Sequence, residues 1–393
     1  MPPKATRAPR SLWRDEALRA IALQVLVIVA VFAAAAWLIG NVAANFAALD
    51  KTFGFGFLWE LPANYDINQK LIDYNNQNTH LRAALVGLIN TALVAVVGII
   101  LATVLGFFVG AMRLSDNWLV SRLAYFYVEF TRNTPVLLLI LLWHGILINT
   151  LPHPRQAISL GDSFFLSNRG FYVPRPVFDT GFSVAGAVLT AGLLGIWLVH
   201  RQGRRAREVT TKNQRVYRYG MVLIIGLAVV VYAAAGAQIT VERPVLRGFN
   251  FQGGLTLIPE FVALTWALAF YTSGFIAENV RAGILAIDRG QTDAARALGL
   301  TPRRTMKLVI LPQAMRVIIP PLTSSYLDLI KNSSLAIAIG YMDLVATLGG
   351  ITLNQTGREM EAMLLVMLVY LTISLTLAGF MNWYNRRVRL VGQ

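Results

Sequence analysis

Eight apolar runs, most of them at or above the roughly 18 residues needed to cross a hydrocarbon core about 30 Å thick, dominate this sequence. They lie at 20–40, 84–112, 135–151, 182–200, 219–237, 260–280, 317–340 and 363–383. Unbroken apolar runs of this length satisfy their backbone donors and acceptors in lipid only as helices. The expected fold is therefore all-α and polytopic, with about eight transmembrane helices. The run 135–151 is short, and 317–340 is interrupted by polar residues. The first run outlasts the roughly 7–15 residue apolar stretch of a signal peptide, and no small-residue cleavage site clearly ends it. It reads as a retained anchor.

Composition supports this and removes other classes. Of 393 residues, 56% are hydrophobic and 14% charged, against about 25% charged in soluble domains, which argues against a soluble enzyme. With no cysteine, disulfides, thiolate metal sites and cysteine nucleophiles are excluded. The four histidines, His80, His144, His153 and His200, are scattered, and neither His-Glu-x-x-His nor Gly-x-Ser-x-Gly occurs. No catalytic or metal-ligating residue is expected. A Gly-x-x-x-x-Gly-Lys-Ser/Thr loop is also absent, so ATP hydrolysis is not expected of this chain.

The formal charge of +15 suits nucleic acid or a membrane face, and its placement favours the membrane. Counted by alternate inter-helix segments, 24 Lys and Arg residues fall in 1–19, 113–122, 201–218, 281–316 and 386–389, and nine fall in the segments between. The positive-inside rule puts the basic set, and with it both termini, in the cytoplasm. The segment 41–82, with Asp66, Asn68, Gln69, Asp73 and Asn75–Asn78, is too polar for lipid and belongs outside. Gly106 and Gly110 form a small-xxx-small face that lets helices approach closely, either by packing within the chain or by dimerisation of two permeases. Pro320-Pro321 weakens the seventh span and suggests a kink or hinge.

The densest signal is the cytoplasmic stretch between the sixth and seventh runs. Residues Gly290 to Leu300 read as a short helix stopped at Gly299, where glycine relieves left-handed strain, with Asp293 in its first turn. Thr301 then resembles an N-cap with Pro302 at the first helical position. A helix-turn-helix bound to DNA would match the same local pattern. Only about 35 residues separate the spans, too few for its three-helix core.

Here the sequence resembles a family. Asp293-Ala294-Ala295, three residues, Gly299, nine residues, then Val309 and Leu311-Pro312 is similar to the EAA loop of ABC importer permeases, with Asp in place of Glu and Val in place of Ile. Ala277–Ile284, Gly290-Gln291, Ala297–Leu300 and Leu311–Arg316 resemble the polar amino acid subfamily. So do Tyr127–Pro135, with Asn133 where the family has Gly, and Lys331–Leu335. The long core with about 100 extra residues resembles permeases of broad-range L-amino acid importers that carry glutamate, glutamine, aspartate and their relatives.

The resemblance implies a permease of the bacterial inner membrane with a five-helix type I importer core. Its parts would be 84–151 and 260–385, flanked by an N-terminal region, anchor and outer loop at 1–83, an insertion at 152–259 and a basic tail at 386–393. The coupling loop would span about 281–312. It implies that Gly290, Gln291, Asp293, Ala294, Ala295, Leu298, Gly299, Leu311 and Pro312 meet an ATPase dimer. That partner would use ATP and Mg, with no cofactor bound by this chain. Further implied partners are a second, sister permease and a periplasmic amino-acid-binding protein, but no nucleic acid.

Ionisable residues inside spans are costly and face cavities or partners. Glu129 with Arg132, and Asp328 with Lys331, are three apart and could pair on one helical face. They read either as structural pairs or, with Asn133, Thr134, Asn332, Ser333 and Ser334, as a polar lining for an amino acid. Glu278 and Arg281 read as a brace for the coupling loop. The alternatives are an ion-coupled secondary transporter, for which repeat-related halves are missing, and a scaffold subunit without a substrate site.

Overall fold

The computed structural model describes residues 16–49, 52–161, 163–177, 186–196, 211–234 and 240–388. It divides into two compact units, Met1–Leu61 and Pro62–Gln393. In the first, helix α1 (Glu16–Ala48) is apolar along its length and none of its spanning window is buried. Such a surface is stable only against lipid or another apolar partner.

The second unit holds α2 (His80–Arg113), α3 (Trp118–Asn133), α4 (Val136–Thr150), α5 (Gly186–Ile196), α6 (Thr211–Ala234), α7 (Pro259–Leu285), α8 (Arg289–Ala297), α9 (Leu311–Asn332) and α10 (Glu359–Val388). Among the described residues, five helices are long and apolar enough to cross a membrane, and the α3–α4 pair, bent by 108°, makes a possible sixth. The bend falls at Thr134-Pro135: Thr134 is extended (φ −100°, ψ 130°), as a residue before proline prefers. The run 135–151 is therefore the second limb of a broken helix whose first limb is α3. Of 182–200, the described part is α5, which is too short to span, and the apolar part of α6 is only Gly220–Tyr232. Among the described residues there are thus five long spans and one broken pair, and the count of eight is not confirmed there.

The seventh run is continuous from Pro302 to Ile339. Within it a π-helical turn (Met306–Ile310) precedes α9 and a 3₁₀ segment (Ser333–Ile339) follows. Pro320 and Pro321 lie inside α9, so the helix runs through the expected hinge.

At the centre stands α7, whose Phe261, Leu264, Leu268, Ile276 and Val280 are buried among Ile140, Ile318, Leu322, Leu329 and Tyr341. Glycines set its approach to α2. A Cβ on Gly106 would lie 2.5 Å from Ile276 Cβ, and one on Gly110 would lie 2.8 Å from Val280 Cβ. The small-residue face of α2 therefore packs within this chain.

At the Pro259 end of α7 the chain adds strands that the apolar pattern does not signal. β1 (Ile158–Leu160), β2 (Phe164–Ser167), β3 (Gly170–Val173) and β8 (Leu255–Leu257) form one antiparallel sheet in that order. β4 (Arg175–Val177) pairs with β5 (Thr240–Glu242), and β6 (Val245–Arg247) with β7 (Asn250–Gln252). The membrane part is helical as expected, and the strands all fall between Ile158 and Leu257. The polar segment after Leu61 is also ordered: Ala63, Ile67 and Tyr74 are buried against Ala83 and Val86, and the Tyr74 hydroxyl donates to Tyr65 O at 2.8 Å.

Candidate functional site

The loop between α7 and α9 is built around α8. Asp288 caps it, its Oδ1 accepting from Gly290 N at 2.6 Å. Asp293 consequently sits beyond the first turn, and the sequence reading placed the helix start too late. The far end is closed by two reverse bonds, Gly299 N to Arg296 O (2.9 Å) and Leu300 N to Ala295 O (3.1 Å). Gly299 is left-handed at φ +76°. This is a Schellman closure, which needs glycine because a Cβ is strained there. Thr301 takes the N-cap position before Pro302 but its side chain makes no cap bond.

Of the residues assigned to coupling, Ala295 is buried, while Gly290, Gln291, Asp293, Ala294, Leu298 and Gly299 are exposed. Leu298 is 82% exposed, a large apolar tip held out on a short helix. Gln313 Nε2 donates to Gln291 Oε1 at 3.1 Å and so fixes α8 beside Leu311-Pro312. Gln313 carries this contact although it was not singled out from the sequence.

Glu278 accepts from Arg281 (2.6 Å) and also from Arg113, the last residue of α2. Arg113 lies in addition over the Tyr125 ring at 5.2 Å. The carboxylate thus ties α2 to α7. Neither Glu278 nor Arg281 bonds to residues 286–301 among the described residues, so the brace acts one helix away from the loop.

Within the spans, α7 and α9 border a cavity of about 500 Å³. Tyr271, Phe275 and Asn279 stand four apart on α7, and Ser324, Asp328 and Lys331 follow the helical period on α9. Lys331 Nζ is 3.8 Å from Asp328 Oδ1, and both side chains are about two-thirds exposed (63% and 66%). Asn332 joins the lining. Ser333 does not, being buried and donating to Ile330 O.

Glu129 and Arg132 do not pair. Asn133 Nδ2 donates to Glu129 O (2.7 Å) and Oε2 (3.2 Å), and Thr134 donates to Phe130 O. Arg132 instead lies over the Phe275 ring at 5.7 Å, at the back of the cavity wall. Glu129, Asn133 and Thr134 contribute to local helix bonding and do not line this cavity.

Asp343 is a residue that the sequence pattern did not mark. It is fully buried, accepts from Ala346 N (2.8 Å) and from the Tyr370 hydroxyl (3.2 Å), and adjoins Gly87, where a Cβ would lie 2.8 Å from Asp343 O. Burial pushes its carboxyl up to about 7, more than those hydrogen bonds pull it down. Drawing the seventh span to residue 340 left Asp343 in a loop, and no local signal corrects that.

Residues 102–390 match the family described as binding-protein-dependent transport system inner membrane component. The chain is 44% identical over 382 residues to the General L-amino acid transport system permease protein AapQ of Rhizobium johnstonii, covering 97% of this chain and 95% of that protein. It is 46% identical over 418 residues to the Glutamate/glutamine/aspartate/asparagine transport system permease protein BztB of Rhodobacter capsulatus, covering 99% and 98%. The chain belongs to this family of inner-membrane transport components and, within it, to the amino-acid ABC importer permeases. It is a multi-pass transport subunit that works with an ATPase and another permease. Membership does not favour an ion-coupled secondary transporter.

Proposed function

We propose that this chain lines the path of an importer with a broad range of polar and acidic L-amino acids, taking substrate in the cavity between α7 and α9. The observation that carries the reading is the Asp328–Lys331 pair, exposed on a spanning helix and lining this cavity. An ionised group in a span costs roughly 2.5–3.5 kcal/mol on insertion scales and is retained where it faces a cavity or partner. A zwitterion complements this pair: Lys331 meets the α-carboxylate and Asp328 the ammonium. Asn279, Ser324, Ser325 and Asn332 offer hydrogen bonds to a polar side chain, and Tyr271 and Phe275 supply an apolar wall. The names of the two relatives, a general L-amino acid system and a glutamate/glutamine/aspartate/asparagine system, support the range.

Energy enters through α8, whose exposed Leu298 enters a cleft on the ATPase dimer. That dimer uses ATP and Mg, and this chain binds neither. The distribution of Lys and Arg supports a cytoplasmic side at α8 and at both termini. An external amino-acid-binding protein delivers substrate at the opposite end, and the second permease is a different sister chain. Uptake of glutamine and glutamate by proteoliposomes holding the assembled importer tests the pathway. Lys331→Ala and Asp328→Asn should each lower uptake at least tenfold with assembly intact. Unchanged kinetics in both variants would overturn the assignment.

A further inference from the structure

A second cavity, of about 580 Å³, opens at the Pro259 end of α7, away from α8. Its size falls in the roughly 300–1,000 Å³ range of small-molecule sites. Its walls come from separate parts of the chain: Asn68 from the ordered segment after Leu61, Ile148 from the end of α4, Asn168 and Arg169 from the β2–β3 turn, Tyr172 and Asn250 from strands, and Glu260 from the first turn of α7.

Three features give it chemistry. Arg169 and Glu260 carry opposite charges into one space, and neither has an ion-pair partner among the described residues. Arg169 makes one long bond, from Nη1 to Phe249 O at 3.4 Å, which orients the guanidinium and leaves its other donors free. Asn168 donates from Nδ2 toward His153 Nδ1 at 3.3 Å, while its Oδ1 is buried with no partner. A buried acceptor without a donor is costly, and a turn of the amide toward the cavity would let a ligand N–H satisfy it.

The frame is rigid. Ser167 Oγ accepts from Arg169 N at 3.3 Å, and a Cβ at Gly170 would lie 2.8 Å from Leu257 O, so the turn sits tightly on β8. Buried Tyr172 donates to Asn250 Oδ1 at 2.6 Å, which leaves the Asn250 amide nitrogen as a donor. Burial holds the Tyr172 phenol above its ordinary range, against the opposing pull of the Arg169 charge, so it remains a donor.

We propose that this cavity is a separate binding site for a free zwitterionic α-amino acid, in which Arg169 holds the carboxylate and Glu260 with Asn168 Oδ1 holds the ammonium. The proposal rests on the reading that this chain conducts amino acids, and it adds a station before the spans. Planar, forked donation from arginine suits a carboxylate. Opposite charges on separate elements select for a molecule that carries both.

The test uses the assembled importer in nanodiscs without external binding protein, in an Asp328→Asn/Lys331→Gln background that removes the charged pair of the inner cavity. Equilibrium binding of glutamine, N-acetylglutamine and glutamine amide is measured. The background protein should bind glutamine at least tenfold more tightly than either blocked compound. Adding Glu260→Gln should abolish discrimination against N-acetylglutamine only, and Arg169→Gln should abolish discrimination against the amide only. Unaltered discrimination in both variants overturns the site. So does no measurable glutamine binding by the background protein, or variants that instead weaken only capture of the external binding protein. Glutamine uptake by the unmodified importer separates the two levels: if uptake is absent, the amino-acid reading fails, and if it is present with discrimination unaltered, only this site fails.

Discussion

Replacing Gly299 isolates the corner that ends α8. A Cβ at this position would meet nothing within 4 Å, so any cost is conformational and not steric. The backbone sits at φ +76°, where an L-residue other than glycine loses about 1–2 kcal/mol, with asparagine losing least. Gly299→Ala should therefore shift the corner away from its closed form by a factor of roughly 5–30, and Gly299→Asn by less. Opening it releases the bonds from Gly299 N and Leu300 N and lets Leu298 swing from its position. In proteoliposomes with matched amounts of assembled importer, glutamine uptake per ATP hydrolysed should fall in the order Gly, Asn, Ala. Equal coupling ratios for Ala and Asn would refute the conformational argument. A wild-type ratio for Ala would remove α8 from coupling.

Gly106→Ala should lower the melting temperature of the purified protein, because its Cβ would lie 2.5 Å from branched Ile276 and overpacking costs about 1–3 kcal/mol. Gly98→Ala, 3.3 Å from the movable end of Leu329, should be milder, and equal losses would sink the comparison. Glu278→Gln removes the charge and leaves one neutral acceptor oxygen for two arginines, and should cost about 1.5–3 kcal/mol, more than Arg281→Ala in the same melting assay, since Arg113 would still hold Glu278. Asp343 titrates near 7 when folded and near 3.8 when unfolded, so the folded state binds the proton more tightly. Stability should then fall as pH rises from about 4 to 7 and level off above, by up to roughly 4 kcal/mol. The melting temperature should fall more steeply with pH across that range for the wild type than for Asp343→Asn.

Features with a local cause were legible before any coordinates. Apolar length gave α1, α2, α7 and α10, and the need for a left-handed residue gave the stop at Gly299. Pairings were less legible, because several partners compete at helical spacing. Glu129 could reach Arg132 at three residues or Asn133 at four, and Asn133 also offers its amide to the Glu129 carbonyl. Asp293 falls outside the first turn of α8 for a related reason: Asp288 and Asp293 both suit a helix start, and the bond from Gly290 N to Asp288 Oδ1 sets the start at Arg289. Strands of three or four residues are too short for alternation to register. Asp343 has one local bond, from Ala346 N, but what buries it comes from segments distant in the chain, as with Tyr370 and Gly87.

The β4–β5 ladder sets Val177 directly opposite Thr240. The described segments between those two positions, α5 and α6, therefore lie on one excursion of the chain bounded by a single ladder. Such a boundary allows an insertion to be acquired, exchanged or removed as a cassette. A short hairpin turn joining Val177 to Thr240 would remove α5 and α6 and leave the β4–β5 register unchanged at the joint.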